Sequence, residues 1–103
     1  MDVSLLHVQT MARYNRWMNQ KVYDGCAGLS EEDRKRDMGA FFRSIHGTLN
    51  HILLADRIWM GRFTGEPFSV RSLDQELYAD FHVLRGERAA EDERIIDWVA
   101  ALS

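Results

Sequence analysis

A single proline in 103 residues, Pro67, is the strongest constraint on how this chain folds. Proline breaks a helix by removing a backbone donor and clashing with the preceding turn, so a chain that avoids it elsewhere keeps long segments open to helix. Two stretches lack helical period, "GLSEEDRKRDMG" and "GRFTGEPFSVRS", and they cut the sequence into three long segments. No segment alternates apolar and polar residues with β-branched enrichment, so a sheet has no source. The expected architecture is all-α: one domain over 1–103, an up-down bundle with helices at about 4–26, 40–64 and 72–102.

Hydrophobic residues at 46% and charged residues at 28% match a soluble globular domain, and no apolar run approaches the ~20 residues that cross a bilayer. No membrane partner is expected. A net charge of −3 and a pI near 5.7 argue against nucleic acid, which needs a concentrated basic footprint. The densest basic run, "EEDRKRD", is diluted by its own acids and reads as a solvated loop or short helix. The opening "MDVSLLHVQTMARYN" carries no basic leader followed by an apolar block, so the expected compartment is the cytoplasm. Cys26, the lone cysteine, reads as a small residue at a helix end.

In the first helix the stripe Ser4, Val8, Met11, Asn15, Met18, Val22 is apolar except for Asn15, flanked by Tyr14 and Trp17, with Gly25 and Gly28 as the stop. A buried amide without partners costs about 1–3 kcal/mol, so Asn15 belongs near water or in a polar network. The third helix should start near Ser72, with Ser72 or Asp74 as cap, and carry Leu77, Phe81, Leu84, Ile95, Trp98, Val99 and Leu102. Arg88 and Asp92 are spaced for an i, i+4 ion pair inside that stripe.

The second helix is the most informative. Phe42, Ile45, Leu49, Ile52, Asp56, Trp59 and Phe63 fall on one line, with Asp56 at its centre. An acid there must be paired or hydrogen-bonded, or its pKa shifts upward, and water beside Arg57, the Asn15 amide or a Trp indole N–H are candidate partners. His46 and His51 sit on opposite rims of the apolar arc. Five residues apart, they diverge by roughly 140° and cannot chelate one metal, which requires i, i+3 or i, i+4. Alone, each reads as a rim residue, as do His7 and His82.

"YNRWMN" at Tyr14–Asn19 followed by "LNHILLADRIW" at Leu49–Trp59 resembles the DinB (damage-inducible) family, and "RGERAAEDERIIDWVAAL" fits the same pattern. The resemblance implies a four-helix bundle holding a divalent metal, often zinc or nickel, through three histidines, in a wider set of metal-dependent hydrolases and thiol S-transferases. His51 matches the ligand of the second helix. The other two ligands belong to a fourth helix with an H-x-x-x-H-R pattern, and this sequence has no histidine after His82. The metal site is therefore expected to be incomplete and the chain alone inactive toward a small-molecule or thiol substrate. The alternative is a non-catalytic helical module. Its three broad apolar arcs would leave a groove that a homodimer covers.

Overall fold

The computed structural model describes residues 3–39 and 42–102. Helices α1 (Val3–Ala27), α2 (Glu31–Lys35), α3 (Ile45–Thr64) and α4 (Phe81–Ala100) follow in order, with no strand among the described residues. The all-α bundle class read from the sequence holds, and α1 matches its expected range.

α1 ends where the Gly28 amide donates to the Gly25 carbonyl. The acidic run then makes α2: Ser30 caps it by accepting from the Asp33 amide at 3.0 Å, with Glu31, Glu32 and Asp33 at its positive end and Arg34 and Lys35 at its negative end. Arg34 also donates to the Cys26 carbonyl and lies over the Phe81 ring, tying the end of α1 to the start of α4.

α3 starts later than the expected 40, at Ile45; positions 40 and 41 lie outside the described residues. The delay is set by a tight turn. Arg43 takes φ 68°, its carbonyl accepts from the Met38 amide, and Ser44 caps α3 by accepting from the Gly47 amide at 2.9 Å. Gly47 is required there, because a Cβ would stand 2.2 Å from the Phe42 carbonyl oxygen. α3 stops at Gly65, whose φ of 75° is the left-handed conformation that ends helices.

The third long helix departs most from expectation. Residues 72–80 are not helical, and the cap is Asp80, which accepts from the Val83 amide at 3.0 Å. Instead, residues 65–80 run back along α3, placing Leu73 against His51 and Tyr78 against His46. As a result α4 runs parallel to α3, not antiparallel as the expected up-down order requires, with Asp56 meeting Arg88 and Phe63 meeting Trp98. It runs antiparallel to α1, with Asp24 meeting Arg85, Asn19 meeting Asp92 and Arg16 meeting Glu93.

The core lies at one end, where Tyr23, Leu49, Leu53, Phe81 and Leu84 are buried together, with Cys26, Ile45, Leu77 and Tyr78 against them. Most of the two stripes expected to form the core stay outside it. Val8, Met11, Met18 and Val22 of α1 are exposed, as are Ile52, Trp59 and Phe63 of α3. The reason is placement: α4 packs on the α1 face that carries Ala12, Asn19 and Tyr23, so α1 and α3 stand apart as the walls of a groove.

Candidate functional site

Three sets of side chains meet at α3, and Asp56 belongs to two of them. The first reads the returning segment. Asn50, 1% exposed, accepts at Oδ1 from the Leu77 and Tyr78 amides and donates from Nδ2 to the His46 and Tyr78 carbonyls. One amide thus replaces the partners a helix would have given residues 77 and 78. His46 corrects the sequence expectation: it is no rim residue but 2% exposed, with Nε2 2.8 Å from the Tyr78 carbonyl and 3.2 Å from a Glu76 carboxylate oxygen. The returning chain covers that rim. Arg57 completes the face, donating to the Tyr78 hydroxyl and to Glu87.

The second set contains Asp56. Its partner is neither Asn15 nor an indole but Arg88, whose Nη2 lies 2.6 Å from Asp56 and 2.8 Å from Asp92. The i, i+4 pair of Arg88 and Asp92 forms as its spacing predicts. Asn19 donates to Asp92 at 2.9 Å, so the network links α1, α3 and α4. Burial pushes the Asp92 carboxyl up, against the pull of Arg88 and the Asn19 hydrogen bond. Burial likewise pushes the Tyr23 hydroxyl up to about 12, while Arg88 pulls it down. Two carboxylates share one guanidinium, and Asp56 is the one that also reaches the groove.

The third set is the groove. One cavity of about 380 Å³ is lined by Val8, Met11, Asn15, Asp56, Trp59 and Phe63 among others, and a second of about 460 Å³ by Val22, Met38, Thr48 and Ile52 among others. Trp59 at 53% and Phe63 at 56% exposure mark how open it is. Asn15, expected near water or in a polar network, is exposed at its wall.

His51 belongs to none of these sets and lines neither cavity. It is half-buried, its ring stacked on Phe42 at 3.8 Å and Nδ1 2.8 Å from the Leu73 carbonyl. A carbonyl only accepts, so Nδ1 carries the proton and the neutral ring keeps its lone pair on Nε2. His7 and His82 are exposed. Among the described residues no three His, Cys, Asp or Glu side chains gather to hold a metal. Burial pushes the Cys26 thiol up against the pull of Arg34, away from reactivity. No described helix is long and apolar enough to cross a membrane.

Two of these residues escaped sequence reasoning. Arg88 was visible as the partner of Asp92, but nothing in the sequence links it to Asp56, 32 residues earlier. Asn50 had a signal: an amide among apolar helix residues needs partners.

The fold and site define an all-α helical bundle with a groove between α1 and α3 and, on another face of α3, the His51 imidazole oriented by the Leu73 carbonyl. A sequence model of the DinB family matches residues 1–103, and the chain belongs to that family. Protein DinB of Bacillus subtilis (strain 168) is 32% identical over 56 residues, which are 54% of this chain and 33% of that protein. The match thus spans about a third of that relative's length. No solved structure matches.

Proposed function

We propose that this chain is a metal-binding DinB family module whose metal site is incomplete within these 103 residues. His51 supplies one ligand, through Nε2, to a divalent ion such as zinc or nickel, and further ligands come from outside the sequence described. One observation carries the reading: the Leu73 carbonyl, 2.8 Å from Nδ1, orients the ring and fixes its tautomer, as backbone carbonyls commonly do for metal-bound histidines. A complete site of this kind serves a hydrolase or thiol S-transferase; with one ligand, this chain alone is inactive. Metal analysis after purification without chelator, on wild type and His51→Ala, tests it. With one ligand the chain should hold metal weakly: wild type should take up added zinc at low affinity, and His51→Ala should lose that uptake with the fold retained. Metal-free wild type that also fails to take up added zinc would sink the reading.

A second reading is favoured by the groove: a non-catalytic helical module that self-associates through the apolar walls of α1 and α3. Exposed Met11, Ile52, Trp59 and Phe63 along one face are a surface that water disfavours.

A further inference from the structure

The open groove has a measurable cost in surface. The chain exposes 6737 Å², whereas a compact monomer of 12.0 kDa exposes about 6000 Å². Its radius of gyration is 14.8 Å, against about 13 Å for a closed domain of this length. The surplus of about 700 Å² is close to the ~800 Å² that each partner contributes to a standard interface. The groove contributes exposed apolar side chains from both walls, Val8, Met11 and Val22 of α1 and Ile52, Trp59 and Phe63 of α3.

The polar groups of the groove say what shape of partner fits. Asn15 on α1 and Asp56 on α3 line the same cavity, so they stand at the same height on opposite walls. Asp56 already holds Arg88 through Oδ2, and its side chain is 31% exposed where it lines the groove. Asn15 offers amide donors. A donor on one wall and an acceptor at the same height on the other form a self-complementary pair, the requirement of an isologous interface.

We propose that the groove is closed by a second copy of this chain, related by a two-fold axis running along the groove between α1 and α3. The rotation keeps height and exchanges the walls, so α1 of each copy packs on α3 of the other. Because α1 and α3 of one chain are antiparallel, each of the four helices then lies antiparallel to both neighbours, as in an up-down four-helix bundle. At its centre, the Asn15 amide of each copy donates to the Asp56 carboxylate of the other. That pair sets the register, as a lone buried Asn does in coiled coils. This arrangement builds on the self-association reading above and adds its stoichiometry, axis and register.

Light scattering on the full chain at micromolar concentration should give twice 12.0 kDa. Met11→Lys and Ile52→Lys, at positions half-exposed in the single chain, should give folded monomers by circular dichroism, and Leu73→Lys, exposed but outside the groove, should stay dimeric. Asn15→Asp sets a carboxylate against the partner's Asp56 and should weaken the dimer roughly tenfold or more, the weakening easing in high salt. A wild type that stays monomeric, or binds an apolar dye or detergent in the groove as a monomer, overturns both this arrangement and self-association. So does a dimer indifferent to Met11→Lys and Ile52→Lys. A dimer broken by those changes but unmoved by Asn15→Asp, or an assembly of another stoichiometry, overturns the two-fold arrangement alone. Zinc uptake measured on the same Met11→Lys sample reports separately on His51.

Discussion

Two long faces of α3 invert the usual rule of burial. On one, His46 and Asn50 are almost wholly buried and Arg57 nearly so; on the other, Ile52, Trp59 and Phe63 are open. The difference lies in what each face is given to pack on. The polar face meets an irregular backbone that needs partners, and side chains supply them: Asn50 remakes four hydrogen bonds, and His46 makes its own through Nε2. The apolar face has a wall opposite it but no layer above it. Between these two faces Leu49, Leu53 and Leu54 form core as expected; it is on the two faces themselves that polar side chains satisfy the chain and apolar ones offer surface.

The largest test of that contrast is Arg88→Met. It strands Asp56 and Asp92 without their shared cation and should cost about 3–5 kcal/mol in urea unfolding, a large part of the ~5–15 kcal/mol total for a small domain. A loss below 1 kcal/mol would mean that the network does not hold the three helices together. Asn50→Ala follows, with a loss of about 2–3 kcal/mol from four backbone hydrogen bonds and faster amide exchange confined to residues 71–80. Unchanged exchange there would show that Leu77 and Tyr78 anchor the segment by packing alone. On the open face, adding Ile52→Ser to the monomeric Met11→Lys chain should move stability by no more than about 0.5 kcal/mol, as for any exposed site. A larger cost would mean that the groove is closed within one chain.

The smallest effect concerns acid. The Val83 amide, donating to Asp80, holds that carboxyl below its ordinary value of 3.8. Its folded pKa is lowered, so its contribution is full above 3.8 and is lost as pH falls through the folded value. Asn caps a helix equally well, so Asp80→Asn should match wild type near neutrality and lack that part of the acid-side loss in urea midpoints taken across pH.

The same contrast explains what could be read early. The periods of α1 and α3, the short helix in the acidic run and the Arg88–Asp92 pair are local, set by neighbours within one or two turns. The start of α4 was not, because "SLDQELYAD" carries helix-forming residues and two capping candidates. The distant Asn50, His46 and His51 capture its backbone. The candidate site divides likewise. His51 was named from its motif, but its orienting contact, Leu73, lies 22 residues away in that rerouted segment.

By itself the sequence determined that this is an all-α chain, with its long helices and the side chains each presents, since helical period and proline placement act over a few residues. Tertiary structure decided which presented face is buried. α4 chose one side of α1, and the returning segment chose one side of α3. The stripes that look most like core were left as the walls of a groove, because burial depends on what arrives from elsewhere in the chain.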